Sequence, residues 1–101
     1  MSTIDGLCQT RPEIEAVGVR VLGLFGSYAT GTQTEQSDID ILIETTPQFV
    51  EQTDPLHAFT ILREIKARYQ QIFCVPVDIA DLNGFNEIGR KYILNSVIYV
   101  P

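Results

Sequence analysis

The chain has 101 residues, the size of one small domain, and 45% of them are hydrophobic, as in ordinary globular proteins. Thirteen acidic residues against seven basic ones give a formal net charge of −6, which disfavours direct nucleic-acid binding because such binders carry a basic face toward phosphates. The sequence shows no secretory signal and no apolar run near the roughly 20 residues that span a bilayer, so we expect one cytoplasmic domain over residues 1–101 with no membrane association.

The sequence before residue 26 predicts one helix and one strand. Residues 4–16 are typical of a short helix, or of two helical turns broken near Pro12, because proline lacks the backbone donor that a helix interior needs. Residues 19–25 are rich in branched and aromatic side chains and therefore predict a strand.

A turn, a loop and a second strand are expected next. The first strand runs directly into Gly26-Ser27, a short helical or turn segment is expected at 28–30, and the polar residues 32–37 predict a loop. Isoleucine then occupies every second position from Ile39 to Ile43, which predicts a second strand.

The middle of the chain predicts a long amphipathic helix after a loop or irregular excursion at 45–54. Asp54-Pro55 is a favourable helix start, because the carboxylate can cap free N–H groups and proline suits the first helical position. Apolar residues then recur at steps of three or four, which indicates a helix of about five turns. This apolar stripe consists of Leu56, Phe59, Leu62, Ile65, Tyr69 and Ile72. We expect Phe59, Leu62 and Ile65 to face a sheet.

The last part of the chain predicts two more strands on either side of a helix. The strands are expected at 75–80 and 97–100, and the helix at 84–94. The order helix, strand, strand, helix, strand, helix, strand predicts an α/β (α+β) domain, in which one mixed sheet of about four strands is covered by helices.

Three acids and a Gly-Ser turn form a candidate site. Asp38 and Asp40 stand at the start of the second strand, where both can face one metal ion. Close carboxylates repel each other unless a cation lies between them, and Mg²⁺ prefers oxygen ligands. Gly26-Ser27 lies where a strand gives way to a turn, and such turns expose N–H groups that can hold phosphates. Asp78 lies within an apolar strand, where a charged side chain is unfavourable unless it has a partner or a function.

Each of these features also has a simpler interpretation. Asp38 and Asp40 could form a solvated start of a strand, and Asp78 could be an edge-strand acid that faces water. Strand-Gly-Ser turns also occur in many proteins without a ligand. Their combination, in this order along the chain, is much harder to explain in that way.

The combination resembles a known signature. Gly26-Ser27, ten intervening residues and Asp38-Ile39-Asp40 resemble the signature of the DNA polymerase β-like nucleotidyltransferase superfamily. The fuller segments 24–31 and 37–43 are similar to the minimal nucleotidyltransferases in particular, and Asp78 matches the third acid of that family. The resemblance extends over nearly the whole chain.

The resemblance implies nucleotidyl transfer, in which a hydroxyl group attacks the α-phosphorus of a nucleoside triphosphate and pyrophosphate leaves. It implies that Asp38, Asp40 and Asp78 are catalytic and bind metal, with two Mg²⁺ ions expected. Asp78 could also act as the general base toward the attacking hydroxyl. Gly26 and Ser27 would bind the phosphates of ATP.

The sequence departs from the family in its basic residues. Members often carry a basic residue at one of the positions that Tyr28 and Thr30 occupy here, whereas this chain has neither Arg nor Lys between Arg20 and Arg63. The charge of the triphosphate would then be met by magnesium, by backbone donors, by a partner or by basic residues elsewhere. The candidates within the chain are Arg63, Arg90 and Lys91.

The resemblance also implies a partner. Small members of this family are typically paired with a HEPN-domain ribonuclease toxin, so the chain would be an antitoxin that transfers AMP from ATP to a tyrosine of that toxin. One alternative is a catalytically silent antitoxin that neutralises the toxin by binding alone. Another is an enzyme that adenylylates a small molecule, for which the chain is short unless it dimerises.

Overall fold

The computed structural model describes residues 3–34 and 37–100. The predicted loop 32–37 therefore includes two residues, 35 and 36, that lie outside the described residues. Within those residues five α-helices and four strands are formed, with a short 3₁₀ helix at Leu82–Gly84. In chain order they are α1 (Thr3–Glu15), β1 (Val19–Phe25), α2 (Ser27–Thr30), β2 (Ile39–Thr45), α3 (Pro47–Gln52), α4 (Pro55–Phe73), β3 (Val77–Asp81), α5 (Glu87–Ser96) and β4 (Ile98–Tyr99).

In these described residues the strands form one mixed sheet in the order β3-β2-β1-β4. β1 is antiparallel to β2 and to β4, whereas β2 and β3 are parallel because α3 and α4 carry the chain back between them. β4 approaches β1 closely at Gly23, where an added Cβ would collide with the backbone of Ile98. The predicted α+β domain with a mixed four-stranded sheet is confirmed.

Helices cover both faces of the sheet, which explains why Leu42 of the central strand β2 is as buried as the isoleucines on the other face of this strand. The larger core lies against α1 and α4 and contains Ile39, Ile41 and Ile43 of β2. On the opposite face Leu42 packs with Leu82 and with Ile93 of α5. No helix in the part of the chain that the structure describes is both long and apolar enough to cross a membrane.

The first helix is continuous, so of the two predicted forms the short helix is confirmed and the break near Pro12 is wrong. α1 runs from Thr3 to Glu15, and the backbone N–H of Ala16 donates to the carbonyl of Pro12 at 3.1 Å. Leu7 and Ile14 are buried before and after the proline. Their packing on the sheet holds the helix together despite the donor that proline removes.

The irregular segment predicted at 45–54 is also wrong, because it contains helix α3. The Thr46 hydroxyl caps this helix by accepting from the backbone N–H of Phe49 at 3.2 Å, and Pro47 occupies the first turn. The same hydroxyl donates to the Gly18 carbonyl at 2.8 Å. Burial of Phe49 in the larger core then fixes this short helix against the sheet.

The long helix α4 begins where the sequence predicts. The Asp54 carboxylate accepts from the backbone N–H of His57 at 3.0 Å, and Pro55 is the first helical residue. The last elements are shifted from their predicted bounds. β3 begins at Val77 instead of residue 75, α5 begins at Glu87 after the 3₁₀ helix, and β4 has only two residues.

The expectation that the whole apolar stripe of α4 faces the sheet is wrong at its beginning. Ile65 and Tyr69 are 5% and 0% exposed, whereas Phe59 is 65% exposed and Leu56 is 81% exposed. Leu62 is half-buried. The helix has 19 residues, about 28 Å at 1.5 Å per residue, whereas the five residues of β3 span only about 17 Å. The first turns of the helix therefore extend beyond the sheet.

Candidate active site

Three strand ends meet at one end of the sheet. β1 finishes at Phe25, while β2 and β3 start at Ile39 and Val77. Because β1 is antiparallel to β2 and β3 is parallel to it, these three ends lie together. Asp40 is opposite Phe25 on one side and opposite Asp78 on the other.

The three predicted acids point to one side of the sheet. Asp38 and Asp40 are two positions apart, so their side chains leave the chain on the same face. Asp78 occupies the register position beside Asp40 on the parallel neighbour β3, and neighbouring strands are about 4.8 Å apart. Asp40 is half-buried, whereas Asp38 and Asp78 are exposed.

The pKa of Asp40 shows that the charges of Asp78 and Asp38 act on this carboxyl group. Burial raises the pKa of the Asp40 carboxyl above its usual range, and the negative charges of Asp78 and Asp38 raise this pKa further. Each effect disfavours the ionised form of Asp40. A cation at this position would oppose all three effects.

The predicted Gly-Ser turn lies directly against Asp40. Gly26 has φ 72° and ψ −148°, a backbone conformation that favours glycine. A Cβ added to Gly26 would collide with the Asp40 carboxylate. Glycine therefore allows the turn before α2 to approach the acid, so that Gly26-Ser27 and Asp40 share one corner of the fold.

A lysine that the sequence analysis did not connect with the acids lies beside Asp78. The ammonium group of Lys66, on α4, is 3.7 Å from a carboxylate oxygen of Asp78, and both side chains are about half exposed or more. Among the described residues, no three Asp, Glu, His or Cys side chains are arranged so that they could hold a metal ion. The three acids are thus neighbours at the strand ends without forming a closed ligand set.

The basic residues suggested for the triphosphate lie in different places. Arg63 lines a cavity of about 380 Å³ together with Lys66 and Asp78. Arg90 is 4.0 Å from Glu44, which lies four positions along β2 from Asp40, about 13 Å away at 3.3 Å per residue. Lys91 is exposed on α5. Of the three suggested residues, Arg63 therefore shares a cavity with Asp78, whereas Arg90 pairs with an acid farther along β2.

Comparison with known proteins agrees with this geometry. Residues 5–99 match the family described as the nucleotidyltransferase domain. A candidate protein adenylyltransferase of Methanocaldococcus jannaschii is 37% identical over 83 residues, which cover 81% of this chain and 77% of the relative. The protein adenylyltransferase MntA of Thermococcus cleftensis is 33% identical over 86 residues, which cover 85% and 79%.

Two solved structures share the fold. A candidate minimal nucleotidyltransferase superposes with a TM-score of 0.67 at 22% identity, covering 96% of this chain and 95% of that one. A toxin–antitoxin structure with AMP-PNP superposes with a TM-score of 0.64 at 17% identity, covering 99% and 73%. The chain therefore belongs to the nucleotidyltransferase-domain family, and it has the fold of the candidate minimal nucleotidyltransferase.

Proposed function

We propose that this chain is a protein adenylyltransferase, which transfers AMP from ATP to a hydroxyl group of a partner protein. The observation that carries the proposal is the contact between the Gly26 turn and Asp40, with Asp78 beside Asp40 on the next strand. Phosphate-binding backbone and metal-binding carboxylates must lie this close together for a nucleotide's phosphates to reach both. The adenylyltransferase relatives support the transfer to a protein.

The proposed metal ligands are Asp38, Asp40 and Asp78, with two Mg²⁺ ions bound. Carboxylate oxygens are the ligands that Mg²⁺ prefers, and the neighbouring charges that raise the pKa of Asp40 would be offset by a cation. Bound Mg²⁺ would neutralise phosphate charge and increase the acidity of the attacking hydroxyl.

The chain's own residues position the reactants. Backbone groups and the hydroxyl of Gly26-Ser27 hold the β- and γ-phosphates of ATP at the end of β1. Asp78, on the opposite side of Asp40, accepts the proton of the acceptor hydroxyl. The hydroxyl oxygen forms a bond to the α-phosphorus, the bond from that phosphorus to pyrophosphate breaks, and AMP remains on the acceptor.

We infer that the acceptor is a tyrosine of a HEPN ribonuclease toxin and that this chain is its antitoxin in the cytoplasm. A toxin–antitoxin structure with AMP-PNP shares this fold. The charge of −6 favours a protein acceptor over direct contact with nucleic acid.

The test uses ATP labelled on the α-phosphate, magnesium and a purified HEPN ribonuclease as the acceptor. We expect label on the ribonuclease with the parent chain and loss of ribonuclease activity. Asp38→Asn with Asp40→Asn should still bind the ribonuclease, but transfer should fall by several orders of magnitude because positioning and charge neutralisation supply most of this catalysis. Transfer that is unchanged in the double variant would exclude these acids from the mechanism.

Neutralisation by binding alone is the second candidate. The absence of Arg and Lys between Arg20 and Arg63 favours it, because the site then has few cations for a triphosphate. In that case the double variant should neutralise the ribonuclease as well as the parent does, in proportion to the complex formed. No label should then appear on the ribonuclease with either chain.

A further inference from the structure

The exposed beginning of α4 continues into the candidate active site. Leu56 and Phe59 share one helix face with Leu62, Arg63 and Lys66, because these positions follow each other at steps of three or four. Lys66 at the end of this face contacts Asp78. The cavity of about 380 Å³ lies between this face and the edge strand β3, from Asp78 to Asp81.

The proposed nucleotidyl transfer defines the edge of the sheet from which the acceptor hydroxyl approaches. Across the sheet the order is Gly26 after β1, Asp40 on β2 and Asp78 on β3. If the phosphates that leave are held at Gly26, the attacking oxygen must approach from the opposite side, because the displacement is in line. That side is the edge strand β3, whose Asp78 and Asp81 line the cavity. The cavity lies on the α4 face of this strand, and the Lys66–Asp78 ion pair joins it to the acids at the sheet edge.

We propose that the groove between α4 and β3 binds the acceptor protein through a segment next to the hydroxyl that receives AMP. This inference rests on the proposed adenylyltransferase function. The groove will be called the acceptor groove and is formed by Phe59, Leu62, Arg63, Lys66 and Asp78. Its exposed phenyl ring and half-buried leucine bind an apolar side chain, since burial of exposed apolar surface stabilises a complex.

The charges and dimensions of the groove describe this segment further. Arg63 and Lys66 on the helix wall of this groove face Asp78 and Asp81 on its strand wall, so its charges balance overall. The helix wall alone is positive and favours an acidic residue beside the apolar one. Lys66 can turn from Asp78 toward this acidic residue, because an exposed ion pair such as Lys66–Asp78 contributes little to stability. From Phe59 to Lys66 the helix rises about 10 Å, which about three residues of extended chain span.

A second exposed apolar pair provides a matched control. Ile88 and Tyr92 are each 80% exposed and are four positions apart on α5. α5 covers the opposite face of the sheet from α4, and neither residue lines the acceptor groove. Removal of this pair changes a similar amount of exposed apolar surface away from the groove.

The experiment compares two double variants. The α4 variant combines Leu56→Ser and Phe59→Ser, and the α5 variant combines Ile88→Ser and Tyr92→Ser. For each chain we would measure the Kd for Mg·ATP, the Kd for the purified HEPN ribonuclease, and the rate of AMP transfer at several ribonuclease concentrations. The α4 variant should raise the Kd and KM for the ribonuclease about tenfold or more. Its Kd for Mg·ATP should stay within about twofold, and the α5 variant should match the parent within about twofold in every measurement.

Each other outcome either contradicts docking of the ribonuclease in the acceptor groove or tests the proposed adenylyltransferase function separately. Unchanged ribonuclease binding and KM in the α4 variant, loss confined to the α5 variant, or a parent that does not bind the ribonuclease would overturn the inference. A weaker Kd for Mg·ATP in a folded α4 variant would show damage to the nucleotide site instead. If the parent binds without transferring AMP, the adenylyltransferase proposal fails, and the two ribonuclease Kd values still decide where the ribonuclease docks. Binding of a labelled RNA by the parent and not by the α4 variant would assign the groove to RNA.

Discussion

The two halves of α4 carry the same apolar pattern and have different surroundings. In the second half Ile65 and Tyr69 are almost completely buried against the sheet, whereas in the first half Leu56 and Phe59 are mostly exposed. Helical periodicity reports which face of a helix is apolar, but it does not report how far the neighbouring sheet extends. The apolar residues beyond the sheet are therefore available for a partner, while those above it maintain the fold.

The largest expected effect on stability belongs to the buried half. Ile65→Ala should lower the free energy of unfolding by about 2–5 kcal/mol, because it removes buried methyl and methylene groups and leaves a cavity. Urea denaturation followed by circular dichroism measures this change. An unchanged midpoint would show that the second half of α4 does not pack as described.

A smaller loss is expected at the other buried residue of this half. The hydroxyl of Tyr69 is hydrogen-bonded with that of Thr10 at 3.3 Å in a buried setting. Tyr69→Phe keeps the ring and its stacking on Phe73, so it should cost only about 0.5–1.5 kcal/mol. The same denaturation experiment applies, and a loss as large as that of Ile65→Ala would indicate that the hydroxyl has further partners.

The comparison can be extended to the three acids of the candidate active site, where Asp40 is expected to reduce the stability of the fold. The pKa of Asp40 is raised in the folded state by burial and by two neighbouring carboxylates. The folded chain therefore binds the proton of the Asp40 carboxyl group more tightly than the unfolded chain does. Stability therefore falls as pH rises from the ordinary aspartate pKa through the raised pKa. Asp40→Asn should be slightly more stable than the parent at pH 7 without metal, and the gain should vanish at a pH below the ordinary aspartate pKa. Thermal melts at both pH values measure it, and a less stable variant at pH 7 would contradict it.

The smallest effect on stability is expected in the exposed half. Phe59→Ser should change the free energy of unfolding by no more than about 0.5 kcal/mol, because the ring is mostly in solvent. Measured beside Ile65→Ala, it tests the contrast between the two halves directly. A loss of about 2 kcal/mol or more at residue 59 would place that ring in a core and remove it from the acceptor groove.

Much of the fold follows from local signals in the sequence. Asp54-Pro55 predicts the start of α4 because a capping carboxylate and a proline act within one turn. Thr46-Pro47 is the same kind of signal for α3, but the six residues of this helix are too few to show a helical period. The helix depends on burial of Phe49. α1 also continues past Pro12 because of packing that only the folded chain provides.

In the candidate site, too, some features follow from local sequence and others depend on tertiary packing. A short motif predicts that Gly26-Ser27 and the acids of β2 lie together, and the structure places Gly26 against Asp40. The approach of Lys66 to Asp78 could not be predicted, because it depends on how α4 crosses β3. The exposure of Phe59 depends on the lengths of two elements that the sequence defines only approximately.

The parallel pairing of β2 and β3 has a consequence for how activity appears during folding. β1 and β2, which carry the Gly-Ser turn, Asp38 and Asp40, are close in sequence, whereas residues 46–76 separate β2 from β3. Closing this long crossover loses chain entropy, and such non-local contacts form slowly. A chain that is still being synthesised would therefore have two acids in place before Asp78 joins them. Under the proposed mechanism, it would become an enzyme only when α4 has docked, so that activity would report complete folding.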